Sequence, residues 1–164
     1  MKLAKVFKEN KQFTLFSILA LVVVGVAVFA PQIAPYDPLD AVMLESLQAP
    51  SSAHPFGTDK LGRDLLSRVI FGTRTSLIMT LCLVAVIFVI GTFLGVIAGY
   101  FGGIVDGVIM RIADMMISFP GLVLAIAIAG MLGPNLVNAV ISIAAVSWTK
   151  YARLARSMVL SLIH

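Results

Sequence analysis

A chain of 164 residues that is 60% hydrophobic and 12% charged carries about half the charge of an average soluble domain, near 25%. Its mean hydropathy of +1.04, held in several long apolar blocks, argues against a soluble domain and for a multi-span membrane protein. The net charge of +4 comes from basic residues that sit beside those blocks, which points to topology and gives no reason to expect nucleic-acid binding.

Only closed hydrogen bonding survives in lipid, so the spans are helices or a closed barrel. The blocks lack the polar–apolar alternation of barrel strands, and the expected fold is all-α. Cys82 is the single cysteine, so no intrachain disulfide is possible. His54 and His164 lie far apart, without metal-ligand spacing.

In chain order, Met1–Gln12 is a basic arm with Lys2, Lys5, Lys8 and Lys11 against Glu9, and Phe13–Ala30 is a run of 18 residues without a charge. This run exceeds the roughly 7–15 residues of a signal-peptide core. Pro31 also follows the only plausible cleavage position, Ala30. An uncleaved first span entering from the cytoplasm is expected. Ala30–Ser52 is an acidic loop with Asp37, Asp40 and Glu45, and PYDP at 35–38 is a turn signal.

His54–Leu77, HPFGTDKLGRDLLSRVIFGTRTSL, is the longest conspicuously polar stretch. Thr58 or Asp59 is the expected helix cap. Leu65, Leu66, Val69 and Ile70 fall on one helical face and Arg63, Asp64, Ser67 and Arg68 on the other. Asp64–Arg68 is spaced for an ion pair, and Gly72 is placed to stop the helix. The expectation is a short amphipathic helix in the membrane interface.

Ser76–Ala98 is a second span of 23 uncharged residues. Its Gly91, Gly95 and Gly99 share one face, where another helix can approach closely. In Gly99–Pro120 the charges are Asp106, Arg111 and Asp114. Charges at membrane depth are costly, so a helix lying against the bilayer with its charges in water is expected, Asp114 being free to pair Arg111 or a neighbouring helix. Ile117–Leu132 is a short third span, kinked near Pro120. Leu136–Trp148 begins a fourth, which must run on through Lys150 and Tyr151, where aromatic and basic residues mark an interface. Tyr151–His164 continues as an amphipathic helix with Arg153 and Arg156.

With the N-terminus inside, inner segments carry eight Lys and Arg and outer segments four, which favours that orientation. His54–Leu77 then faces outward. No phosphate-binding GxxxxGK[ST] pattern occurs, nor GxSxG, HExxH or CxxC. No catalytic, cofactor-binding or metal-binding residue is expected, and the eight methionines read as packing residues.

The stretch at His54–Leu77 resembles the signature of the second, C-type permease subunit of bacterial ABC importers for dipeptides, oligopeptides and nickel. The resemblance extends through PYDP at 35–38, GVIAGYFGGIVDGVIMRIADMMISFP at Gly95–Pro120 and SWTKYARLARSMVLSL at Ser147–Leu162. It marks His54, Pro55, Gly57, Thr58, Asp59, Gly62, Arg63, Asp64 and Arg68 as motif positions. Asp106, Arg111, Asp114, Pro120, Tyr151, Arg153 and Arg156 are motif positions in the later segments.

The resemblance implies a second permease subunit, two cytoplasmic ATPases that hydrolyse the ATP, an extracytoplasmic substrate-binding protein, and a place in the bacterial inner membrane. It also implies six transmembrane helices in all, of which about four lie in this chain. The coupling loop that docks on the ATPase would follow His164, so the chain reads as the N-terminal portion of a permease. Two regions are expected: residues 1–75, with the arm, first span and outer loop, and residues 76–164, the start of the permease domain. Rival readings are a channel or secondary transporter and a small membrane scaffold. Peptide is the expected substrate and nickel the alternative.

Overall fold

The computed structural model describes residues 10–163. Lys2, Lys5, Lys8 and Glu9 of the basic arm, and His164, lie outside the described residues. The chain divides into two compact units, one ending at Ile78 and the other beginning at Met79. The described residues are helical throughout their regular structure, with one isolated β-bridge between Thr58 and Asp64.

The first unit opens with α1, Lys11–Val28. Apolar side chains are exposed all around it, from Phe13 to Val28, as lipid contact requires. The Phe29 N–H closes the helix on the Gly25 carbonyl at 2.9 Å. Pro31 then stands in the first turn of a one-turn helix, α2, Ala30–Ile33, where its missing N–H costs nothing. Asp37 accepts a hydrogen bond from the Leu39 N–H at 2.8 Å, so the PYDP segment closes as an Asx turn. A single 3₁₀ turn covers Met43–Glu45.

Helix α3, Leu65–Phe101, has 37 residues. At 1.5 Å per residue it is about 55 Å long, well over the roughly 30 Å of a bilayer's hydrocarbon core. It runs without a break through Gly72, so this glycine does not stop the helix. One interior glycine costs about 1 kcal/mol, less than the loss of the hydrogen-bonded turns on either side. The expected short interfacial helix is therefore the first part of a longer one.

In the second unit Gly102 and Gly103, at φ 60° and 52°, end α3 and begin α4, Gly103–Ser118. Pro120 separates α4 from α5, Gly121–Leu132, and Gly133 leads into α6, Leu136–Ile163. Both α4 and α5 pack on α6. The buried centre is Ala113, Trp148 and Ala152, flanked by Leu94, Ile109 and Met110. Small residues dominate because dispersion contacts, which need close backbones, replace the hydrophobic drive in lipid.

Among the described residues, α1 and α3 are each long and apolar enough to cross a membrane. A third crossing exists if α4 and α5, bent by 93°, make one broken span. Helix α6, at 28 residues, is long enough but is diluted by Asn138, Ser142 and the polar run from Trp148 to Arg153.

Candidate functional site

Two places gather the motif residues, one in each unit. The first is the loop of residues 42–64. Residues His54 to Gly57 form a turn, with the Gly57 N–H on the His54 carbonyl at 2.9 Å and Pro55 second, where its fixed φ suits the turn. The Thr58 N–H bonds the Gln48 carbonyl at 3.1 Å and the Leu47 N–H bonds the Asp59 carbonyl at 3.0 Å. The Thr58 hydroxyl donates to the Glu45 carbonyl and accepts from the Gln48 N–H. Gly57 and Gly62 have φ of 75° and 74°, and a Cβ on either would strike the Gln48 or Val42 carbonyl oxygen. Only glycine fits there.

Two aspartates hold this loop. Asp59 accepts from the Leu61 and Arg63 N–H groups at 2.8 and 3.1 Å, from Arg63 Nε at 2.9 Å, and from Arg68. Desolvation pushes its carboxyl up, but the hydrogen bonds from Arg63 and Leu61 and the Arg63 charge outweigh it and hold it at about 2. Asp64 is 3% exposed. It accepts from the Ser67 N–H at 2.7 Å and faces His54 Nδ1 at 3.0 Å. Desolvation raises its carboxyl too, and the Ser67 and His54 hydrogen bonds bring it below its ordinary value.

Three expectations change here. The cap of α3 is Asp64, not Thr58 or Asp59, because Thr58 and Asp59 are spent within the loop. The pair Asp64–Arg68 does not form: Arg68 turns to Asp59 and Asp64 to His54. Burial does not follow the two faces: Ser67 and Ile70 are buried, while Arg68 and Val69 are exposed. Ser67 is 0% exposed and Val69 57%, because the Ser67 hydroxyl accepts the Tyr36 N–H at 3.1 Å and the loop folds over that side. The His54 ring lies 4.9 Å from the Tyr36 ring, and its Nε2 is 3.4 Å from Glu45. This clasp between residues nine and more apart had no signal in sequence spacing. The Asp64 cap did: it directly precedes the apolar run.

The second place is the seam of α3, α4 and α6. A Cβ on Gly91 would lie 2.6 Å from the Trp148 carbonyl oxygen, and one on Gly99 2.9 Å from Val159 Cβ; Gly95 faces the Ala152 carbonyl. The register rises together along both helices, so α3 and α6 run parallel, backbone to backbone. The neighbour of the glycine face is α6 of the same chain. Tyr151 sits at Gly91 and meets the Phe88 ring edge-on, 6.2 Å between centroids.

Arg153 pairs with Asp114, and Arg156 grips both oxygens of Asp106. A two-point arginine–carboxylate contact is among the strongest side-chain bonds. Asp106, partly buried, and Asp114, exposed, each pair with an arginine of α6 and so link α4 to α6. Arg111, one turn before Asp114 on α4, is exposed and is not among the ion pairs of the described residues. Pro120 forms the elbow between α4 and α5, and beside it a cleft of about 390 Å³ runs past Met116, Phe119, Leu122, Val146 and Lys150. Among the described residues, no buried side-chain nitrogen or oxygen lacks a hydrogen-bond partner, and no cluster of three or more His, Cys, Asp or Glu could hold a metal.

Among the described residues the regular structure is helical, two helices are long and apolar enough to cross a membrane, and two aspartate–arginine pairs join α4 to α6. The family model described as binding-protein-dependent transport system inner membrane component matches residues 91–164, the seam just described. A second, the N-terminal TM domain of oligopeptide transport permease C, matches residues 2–50. The chain belongs to this family of inner-membrane transport permeases, in its C-type branch.

The chain is 38% identical over 161 residues to the dipeptide transport system permease protein DppC of Haemophilus influenzae, covering 94% of this chain and 55% of that protein. It is 41% identical over 159 residues to the probable D,D-dipeptide transport system permease protein DdpC of Escherichia coli, covering 97% and 53%. The nickel transport system permease protein NikC of Escherichia coli is 41% identical over 128 residues, covering 78% and 46%. The chain thus spans about half the length of the curated relatives it matches.

Proposed function

We propose that the chain is a permease subunit of an ATP-binding-cassette importer that carries di- and oligopeptides across the cytoplasmic membrane. The observation that carries this reading is the alignment with dipeptide permeases over 94% and 97% of the chain, in the same order of segments. In this reading the chain is not an enzyme. Two cytoplasmic ATPases hydrolyse ATP, a second permease subunit completes the path, and an extracytoplasmic binding protein delivers the peptide. Alternating access follows from closure of the ATPases, transmitted to the spans.

The orientation with the N-terminus inside puts the loop of residues 42–64 outside. Its internal bonding makes it a firm platform for the binding protein or the outer gate. Residues 1–75 anchor and present that platform, and residues 76–164 contribute to the path. The α3–α4–α6 seam moves as one piece, since the aspartate–arginine pairs tie α4 to α6 and the glycine face seats α3 on α6. Nickel is the second reading, favoured by the match to a nickel permease over a shorter stretch of 128 residues.

Deleting the reading frame in its own cell tests the proposal. Uptake of a radiolabelled dipeptide should fall to background and return on complementation, with nickel uptake unchanged. Loss of nickel uptake alone would select the second reading. Loss of neither would sink the importer assignment.

A further inference from the structure

The imidazole of His54 lies between two carboxylates. Its Nδ1 is 3.0 Å from Asp64 Oδ1 and its Nε2 3.4 Å from Glu45 Oε2. The Tyr36 ring stands 4.9 Å away, tilted by 33°. Among the described residues no other ion pair, side-chain hydrogen bond or ring contact reaches the imidazole. The His54 side chain is 8% exposed, so water has little access to its nitrogens.

A neutral imidazole carries one N–H, and an ionised carboxylate can only accept. Asp64 is the inner partner, buried and bonded to the Ser67 N–H at 2.7 Å. A single ring proton therefore belongs on Nδ1, where Asp64 has no water to replace it. Nε2 then has no proton for Glu45, whose side chain is 42% exposed and can turn to water. A second proton, taken from solvent at Nε2, gives an imidazolium that attracts both carboxylates at once. The Tyr36 face adds to that attraction. Carboxylates at opposite ring nitrogens suit the doubly protonated ring and neither neutral tautomer. Glu45 also ends the Met43–Glu45 turn. Its N–H bonds the Val42 carbonyl at 2.8 Å, and its own carbonyl takes the Thr58 hydroxyl. Its side chain thus ties this turn to His54.

We propose that His54 and Glu45 form a proton-operated latch within the loop of residues 42–64. With both ring nitrogens protonated, the ring bridges Asp64 and Glu45 and pins the Met43–Glu45 turn. When Nε2 returns its proton to solvent, Glu45 swings free and the turn loosens, while the His54–Asp64 pair stays. In the outward orientation of the loop, which rests on the importer reading, the latch follows the pH of the medium.

Hydrogen exchange of the purified protein in nanodiscs, open to buffer on both faces, tests the latch independently of orientation and transport. Protection factors, corrected for intrinsic exchange, are compared at about pH 5 and about pH 8, the limits between which histidines change charge. The Glu45 and Ser46 amides should be about two- to fivefold better protected at the lower pH, the scale of a part-exposed ion pair. The Leu61 and Arg63 amides, which bond Asp59, should not change, because Asp59, at about 2, is ionised at both. Glu45→Gln offers the ring a neutral amide and should abolish the pH response at positions 45 and 46. Equal protection at both pH values in wild type overturns the latch, and so does an undiminished response in Glu45→Gln. The wild-type profile decides alone if the variant does not fold. Loss of neither uptake activity in the deletion test would sink the importer reading and leave the latch standing.

Discussion

Asp59 sits at about 2, against an ordinary 3.8. A carboxylate held down in the folded state contributes its stability in full above its unfolded value and loses it as pH falls through the folded one. The loop of residues 42–64 should therefore keep its protection from neutral pH to about 4 and lose it between about 4 and 2. Hydrogen-exchange protection factors of the Leu61 and Arg63 amides, both donors to Asp59, report this directly. Asp59→Asn should flatten the profile at a lower protection. An unchanged profile in that variant would remove Asp59 from the role. Gly62 is the second residue-scale test. Its φ of 74° and its approach to the Val42 carbonyl mean that Gly62→Ala should cost at least about 1 kcal/mol and speed tryptic cleavage at Lys60 and Arg63. Gly130→Ala, with nothing within 4 Å, should stay within about 0.5 kcal/mol of wild type. Gly57 and Gly62 stood out in the sequence as motif positions of the resemblance. The pairing of Asp64 with His54 did not, because it depends on a fold of the loop that no local period encodes.

Along whole helices, the Gly91–Gly95–Gly99 repeat was legible as a close-approach face, since a spacing of four keeps residues on one side of a helix. Which helix fills it was not legible, because small-residue faces fit many partners. Contact with α6 makes a sharp prediction. Gly95→Leu should force α3 off the Ala152 carbonyl and Ala155, lowering the melting temperature of the detergent-solubilised protein and exposing Trp148 to a quencher. If Trp148 stays as shielded as in wild type, the glycine face packs elsewhere. The pairs between α4 and α6 hold by charge. A double-mutant cycle on Asp106→Ala and Arg156→Ala should give a coupling energy of about 0.5–3 kcal/mol. Additive losses would mean that the two side chains do not act together. The continuity of α3 through Gly72 marks the limit of reading a helix end from one glycine: the hydrogen-bonded turns on either side outweigh the local preference.

For the molecule as a whole, the apolar blocks predicted an all-α membrane chain with about four crossings, and the structure reopens that number at the Pro120 elbow. The 93° bend between α4 and α5 allows a broken span or a re-entrant loop, and the two place Asn135 on opposite sides of the membrane. The eight-to-four excess of Lys and Arg on the proposed inner segments supports the N-terminus inside, so an odd number of crossings must precede Ser52. In a Cys82→Ser background, a membrane-impermeant maleimide applied to intact spheroplasts should label Ser52→Cys and leave Asn10→Cys unlabelled until the cells are opened. If α4 and α5 form one span, Asn135→Cys labels from outside and Ser161→Cys only after lysis, so α6 crosses despite its polar second half. If Asn135→Cys also needs lysis, α4–α5 turns back within the bilayer. The Arg153 and Arg156 pairs would then fasten a re-entrant element to an interfacial helix. The first outcome is expected. Asp106 and Asp114 are bonded to arginines on a helix that runs parallel to α3, and a helix parallel to a span by the contact of three successive glycines over two turns is itself placed to cross.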